Sequence, residues 1–362
     1  MEAPAVAAPA LMDPLLDVVE RLVAVPSVSS DAAACARVMD LVDALVPQEG
    51  LHRTRGSHHL VISTSSRREA ALVLNAHLDV VPARPGQFAV RREGARISGR
   101  GVYDMKGAAA VYVEILREVA RLTDKPDLQV QFVTDEEIGG HCGAGTLVQE
   151  GFSGDFFVAG EPTNLDVCNR AKGVLWLTVR LPGRPGHAAM PWQAQNPIPV
   201  LSAGLARVLE CYPLAEDEVW RTTATPTVLR AGEAHNRVPE EAHLGIDVRW
   251  VAEDDPEAIL DFVRRCFPGA AVEIVQLAPA LDTPPDHPAV QRLAAIQEDR
   301  LGRAPSFVGA HFASDARYWG ARGVPAVCWG PSGGGMHADH EWLDLDGLRA
   351  YHELVRALVG IR

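Results

Sequence analysis

The sequence predicts an α/β protein: a mixed sheet flanked by helices, interrupted by a smaller α+β domain of ferredoxin-like order. Strands alternate with helices over the first half, the pattern changes between about Gly173 and Ala280, and a helix-strand-helix pattern then returns. Leu15, Val18, Val19, Leu22 and Val23 recur at helical spacing from about Asp13 to Val25. A second such pattern runs from Asp31 to Leu45 after a Ser29-Ser30 cap signal. Leu60 to Thr64 and Ala71 to Val81 are short apolar runs rich in branched residues, the signature of buried strands. Ala108 to Leu122 is a helix by its alanines and by the spacing of Val111, Ile115, Leu116 and Val119. Leu128 to Thr134 and Asp155 to Ala159 are again strand-like.

The middle third reads as strand Val174–Leu181, helix Pro197–Tyr212, strands Thr223–Arg230 and His243–Val251, helix Pro256–Phe267 and strand Ala271–Leu277. That order is β-α-β-β-α-β. After a Pro-rich return at Pro279 to Pro288 come a helix from His287, a strand at Val324–Trp329 and a closing helix at Asp346–Leu358. The domains are therefore read as 1–172 and 281–362 forming one body, with 173–280 inserted. A length of 362 residues is consistent with two domains at roughly 150 residues each.

Composition narrows the function. There are 47 acids against 34 bases, a net charge of -13, and no basic run with interleaved aromatics, so nucleic acid is excluded as a partner. No apolar stretch approaches the ~18 residues of a membrane helix, so no membrane partner is expected. Met1 to Leu11 is Ala/Pro-rich without a basic region and reads as a loose tail on a cytoplasmic protein. Six scattered cysteines, with no CxxC pair, read as reduced core residues.

Acids and histidines fall just past the carboxyl ends of the expected strands: His77 and Asp79, Glu136 and Glu137, Glu161, and His337. In open α/β sheets that edge is where ligands bind. Asp104, just before a helix, can join them. Singly, each has an ordinary explanation: a packed histidine, a helix cap, a solvated acid pair. Their coincidence at one edge favours a site, and mixed carboxylate and imidazole donors suit zinc, cobalt or manganese rather than a soft thiolate site. His58, His59, His235, His243 and His352 lack that placement. Ser314-Asp315 has no GxSxG surroundings, so nucleophilic serine chemistry is not supported. The Gly99 and Gly333 clusters match neither a dinucleotide nor a phosphate-binding loop.

Seven stretches, Asn75-Ala-His-Leu-Asp-Val-Val-Pro82, Gly99-Arg-Gly-Val-Tyr-Asp-Met-Lys-Gly107, Thr134-Asp-Glu-Glu-Ile-Gly-Gly140, Gly160-Glu-Pro-Thr163, Gly186-His187, Asn236-Arg-Val-Pro239 and Met336-His337, occur in the order of a known family. The chain resembles the M20 family of di-zinc amidohydrolases and peptidases, which includes acetylornithine deacetylase, succinyl-diaminopimelate desuccinylase and the glutamate carboxypeptidases. The resemblance implies a zinc-peptidase-type catalytic domain with two Zn2+ ions, Co2+ or Mn2+ being possible substitutes. His77, Asp104 and Glu161 would hold one ion, and Asp104, Glu137 and His337 the other. It implies Glu136 as general base and Asp79 as acceptor of the second ring N–H of His77. The inserted domain becomes a lid and dimerisation domain, with a homodimer in which His187 reaches the partner's site to stabilise the oxyanion. Asn236 and Arg249 would bind substrate, with a lid salt bridge as the alternative for Arg249.

The implied activity is hydrolysis of an N-acyl amino acid, in the manner of acetylornithine deacetylase. The alternative is a metallocarboxypeptidase acting on short peptides or N-acyl glutamate-like compounds. A non-catalytic metal-binding homologue would have lost the base or a ligand, and none is lost here. Two departures stand out. Ala108 follows Gly107 where the family repeats glycine, and Ala171 sits in Arg170-Ala171-Lys172 where the desuccinylases resemble one another in an arginine pair. The second counts against succinylated diaminopimelate. Glu161, rather than aspartate, is closer to the deacylase and carboxypeptidase branches, which implies a substrate with an α-carboxylate.

Overall fold

The structure, a computed structural model, describes residues 14–361, so the tail reading for Met1 to Leu11 lies outside the described residues. The chain forms two compact units. Residues 14–168, 284–307 and 314–361 make the first, and 169–283 with 308–313 the second. The insertion is thus a few residues wider at each end than 173–280. It also takes in residues 308–313, which the sequence pattern had placed with the returning chain.

The central sheet of the first unit runs His52–Arg55, His59–Ser63, Leu128–Val133, Leu72–His77, Phe157–Ala159 and Ala326–Cys328, then the strand starting at Val167. Leu72–His77 pairs in parallel with Leu128–Val133 and with Phe157–Ala159, and Phe157–Ala159 pairs in parallel with Ala326–Cys328. Four parallel carboxyl ends therefore share one edge. Buried on both faces, these strands are mostly apolar, although Asn75, Gln129 and Gln131 are buried among them. His52–Arg55 is different: an exposed edge strand of sequence His-Arg-Thr-Arg, with no apolar signal to announce it.

Helices Pro14–Val23, Gly107–Ala120 and Leu345–Val359 bury their apolar faces in the same core as the sheet. Tyr351 fastens it: its hydroxyl lies 2.7 Å from the Tyr112 hydroxyl and donates to the Trp329 carbonyl at 2.7 Å. The helix Ala32–Leu45 is capped by Asp31, whose carboxylate accepts the Ala34 N–H at 2.9 Å. The expected Ser29-Ser30 cap is corrected by this, since Ser29 instead hydrogen-bonds Asp79. Four of the six cysteines are buried, but Cys142 and Cys211 are exposed, so the core reading fails for those two.

In the second unit the antiparallel sheet order is Thr223–Ala231, Glu241–Trp250, Gly173–Pro182, Ala271–Ala278. With helices Pro197–Cys211 and Pro256–Cys266 this is the ferredoxin-like arrangement. The alternation buries Leu244, Ile246 and Val248 of one strand and Leu175, Leu177 and Val179 of its neighbour against Leu201, Val208, Ile259 and Val263. No helix among the described residues is long and apolar enough to cross a membrane.

Candidate metal centre

The parallel ends deliver the expected side chains. His77 is the last residue of its strand, Glu136 and Glu137 follow Val133 by three and four positions, and Glu161 lies two beyond Ala159. Asp104 arrives on the irregular turn Val102–Lys106 that leads into the Gly107–Ala120 helix. That turn requires glycine at 101: its φ is +82°, and a Cβ there would lie 2.7 Å from a Val80 methyl.

His77, Asp104 and Glu161 offer ligand atoms within 4.8 Å of one another, and so do Asp104, Glu137 and His337. Asp104 is common to both groups and divides its oxygens between them. Oδ1 is 3.0 Å from His77 Nε2, and Oδ2 is 3.2 Å from His337 Nε2. Glu161 Oε2 lies 4.0 Å from His77 Nε2, and Glu137 Oε2 lies 3.0 Å from His337 Nε2. A carboxylate facing two ways between imidazoles is the geometry of a bridging ligand.

The donor set suits divalent cations such as zinc: imidazole nitrogen and carboxylate oxygen, no thiolate. Electrostatics agree. Burial, then the charges of Asp104, Asp315 and Glu137 against partial relief from His77, pushes Glu161 up to about 8. Its Oε1 is buried without a hydrogen-bond partner, an orphaned acceptor on a side chain of the first ligand group. Burial alone would lower His77, but its bond to Asp104 and the surrounding carboxylates outweigh it and raise the imidazole well above its ordinary value. Hydrogen bonds to Asp104 and Glu137 push His337 up to about 10. Burial opposes ionisation of Asp104, yet its bonds to His337 and His77 hold it below the carboxylate range. So much packed negative charge calls for cations.

Asp79 sits beside this group in a role different from the expected one. The His77 Nδ1–H donates to the main-chain oxygen of Asp79 at 2.9 Å, while the carboxylate is 3.7 Å from Nδ1. The carboxylate is already occupied by the Ser29 hydroxyl at 2.7 Å and the amides of Glu136 and Glu137 at 3.3 and 3.2 Å. Asp79 thus fixes the tautomer of His77 through its backbone, leaving Nε2 free to ligate, and clamps the acidic loop with its side chain. Ser29, which completes that clamp, was not among the expected site residues.

Glu136 and Glu137 lie on a single 3₁₀ turn, Glu136–Ile138, rather than on strand residues with alternating faces. Successive side chains there diverge by roughly 120°, which separates the two carboxylates. Burial first, and Glu161 second, raise the Glu136 carboxyl well above its usual range. The loop is backed by Asp135, which accepts the Cys142 and Gly143 amides, and by Arg317 and Tyr318, which both donate to the Gly139 carbonyl. Ser314 Oγ lies 3.0 Å from Cys328 Sγ, in keeping with no nucleophilic role.

The Ala108 departure is absorbed locally. A Cβ on Gly160 would lie 2.7 Å from the Ala108 methyl and 2.8 Å from the Tyr112 hydroxyl, so the methyl at 108 occupies space that glycine at 160 leaves open. Gly160→Ala is expected to destabilise by about 1–3 kcal/mol through overpacking, read as a lowered denaturant midpoint. An unchanged midpoint would refute the close-packing account.

His187, Asn236 and Arg249 belong to the second unit. The short ladder Gly186–His187 with Arg237–Val238, and the Ala188 N–H bond to the Asn236 carbonyl at 2.9 Å, bring the first two together. His187 is exposed, and its Nδ1 accepts the Ala189 N–H at 3.1 Å. Arg249 lies on a separate stretch of sheet, where Asp247 takes its guanidinium in a two-point bond at 2.8 and 3.1 Å. It lines a cavity of about 460 Å³ with Lys172, Thr223, Thr225 and His311. Of the remaining histidines, His352 pairs with Glu118 at 3.0 Å and His243 with Glu241. The rings of His141 and Tyr318 meet edge-on. None of these joins either ligand group among the described residues.

Comparison with known proteins places the fold and the family. The chain is 29% identical over 381 residues to the succinyl-diaminopimelate desuccinylase of Gluconacetobacter diazotrophicus, covering 96% of both chains. Among solved structures, aminopeptidase PepT of Bacillus cereus shares the fold with a TM-score of 0.79 at 19% identity, over 96% of this chain and 97% of that one. The M20 family metallo-carboxypeptidase Sso-CP2 of Sulfolobus solfataricus does so with a TM-score of 0.75 at 15% identity, over 96% and 99%. The family model described as Peptidase family M20/M25/M40 matches residues 73–360, a span that contains every ligand candidate above. The chain belongs to that family, and it is an amidohydrolase or peptidase acting on C–N amide bonds.

Proposed function

We propose that this chain is a zinc-dependent hydrolase that removes the acyl group from an N-acyl amino acid. The observation that carries the reading is the sharing of Asp104 between two ligand groups beside the raised carboxyl of Glu136. In this reading His77, Asp104 and Glu161 hold one cation, and Asp104, Glu137 and His337 hold the second. Bound there, two divalent cations polarise an amide carbonyl and acidify a water molecule. Glu136 accepts the proton of the attacking water and returns it to the leaving nitrogen. Asp79 keeps Glu136 and Glu137 in register through their amides.

A free α-carboxylate on the substrate is met by Asn236 and by Arg249. Arg249 offers a planar fork but must share it with Asp247, so its contribution to binding is smaller than that of an unpaired arginine. The relative named as a desuccinylase supports an N-acyl amino acid substrate. Ala171, buried in its strand, leaves the succinyl group unsupported and favours a shorter acyl group such as acetyl. A panel of N-acetyl and N-succinyl amino acids and dipeptides, each with chelator and with added zinc, tests this. Turnover of dipeptides alone would move the chain to the carboxypeptidase reading, and no zinc-dependent turnover would remove both.

The second unit acts as a lid and joins two copies in a cytoplasmic homodimer, with His187 supplied to the partner's site. Support comes from the apolar side chains exposed just after it, Met190, Trp192, Ile198 and Val200. Glu136→Gln and His187→Ala proteins, each nearly inactive, are expected to recover turnover when mixed under exchanging conditions, because one site of the hybrid is then whole. Absence of recovery between two exchanging dimers would place His187 elsewhere.

A further inference from the structure

The two ligand groups are built on unequal foundations. His77 lies in a regular parallel ladder, in register with Val133, and Glu161 follows a strand paired on both sides. His337 has no such support. It sits in a loop with φ +60°, a left-handed conformation that a non-glycine residue keeps only when its surroundings impose it.

A buried ion pair supplies that constraint. Glu341, 2% exposed, accepts the N–H groups of Gly101, Tyr103 and Asp104 at 3.0, 2.9 and 3.1 Å. It also accepts one arm of Arg100 at 2.7 Å, and the other arm of Arg100 donates to the His337 carbonyl at 3.2 Å. One carboxylate and one guanidinium thus tie the turn carrying Asp104 to the main chain of His337. Neither residue touches the ligand atoms, and neither was singled out by the sequence pattern.

We infer that Arg100, held in place by Glu341, is a positioning residue for the second cation, the one assigned to Asp104, Glu137 and His337, because it alone of the pair reaches the His337 main chain. Glu341, which also holds the turn of the shared Asp104, supports both cations. The inference rests on the two-cation reading above. Arginine is needed because its planar fork spans two acceptors, which the single point charge of lysine cannot do. Glutamine at 341 preserves the shape but removes the charge that holds Arg100.

Stepwise titration of the metal-stripped full chain with Zn2+, and with Co2+ followed by its absorption bands, tests this. The wild type is expected to bind two equivalents. In Arg100→Lys the first equivalent binds as before and the second weakens by about 10–100-fold, the scale of a lost outer-shell partner, whereas in Glu341→Gln both equivalents weaken. Wild-type affinities for both equivalents in Arg100→Lys overturn the inference, and so does an equal weakening of both in that variant. Should Glu341→Gln fail to fold, Arg100→Lys decides the question alone, since it retains the buried charge. A wild type that binds fewer than two equivalents would instead refute the two-cation reading, a distinguishable outcome.

Discussion

Replacing Glu136 with glutamine is expected to lower kcat by about 10²–10⁴-fold, the usual contribution of a positioned general base, while bound zinc stays at the wild-type level. The separation of the two readouts follows from the geometry. Glu136 is absent from both ligand groups, and its main-chain N–H, which Asp79 accepts, is unchanged by the substitution. Glutamine has the same shape but cannot take the proton of the attacking water. Steady-state kinetics on an N-acyl amino acid and elemental analysis of the same preparation give the answer together. Unchanged turnover would remove Glu136 from its role, and lost turnover with lost zinc would make it a ligand instead.

Asp104→Ala is the second large effect. Because its two oxygens face different imidazoles, one substitution is expected to weaken both cation sites and cut turnover by on the order of 10³-fold or more, as expected for loss of a principal electrostatic stabiliser. Metal removal from the wild type should resemble it. A site filled at a hundredfold over its Kd contributes about 2.7 kcal/mol to stability, so stripping with a chelator should lower Tm by several degrees, and added zinc should restore it. The Asp104→Ala protein should show no such response to zinc. A variant that still binds two ions with wild-type affinity would show that Asp104 does not bridge.

The part of the centre that could be read from the sequence is the part built on parallel strands. Runs such as Leu72–His77 and Leu128–Val133 are mostly apolar because both faces are covered, with Asn75, Gln129 and Gln131 as buried exceptions, and an acid or histidine at their ends stands out. His77, Glu136, Glu137, Glu161 and His337 were legible for that reason and Asp104 by its place before a helix, while the family resemblance sorted them into two ligand sets. What stayed hidden depends on side chains meeting across long stretches of chain. Glu341 looks like one more acid in a charged loop until its carboxylate is seen to collect three amides of the 101–104 turn. The role of Asp79 was misjudged because sequence cannot distinguish a carboxylate from a main-chain oxygen as the partner of His77. The charged hairpin Arg91–Glu93 and Arg96–Ser98, like the His52–Arg55 edge, carries too little apolar pattern to register as strand.

The order in which the ligands occur along the chain has a consequence for biosynthesis. His77, Asp104 and Glu161 all precede the second unit, whereas His337 follows it. In the proposed two-cation centre a ribosome therefore releases the makings of one ion pocket before the second unit and completes the other only after it. In that proposed centre a product truncated before His337 retains at most a single intact pocket, and metal stoichiometry becomes a direct gauge of whether synthesis passed that residue.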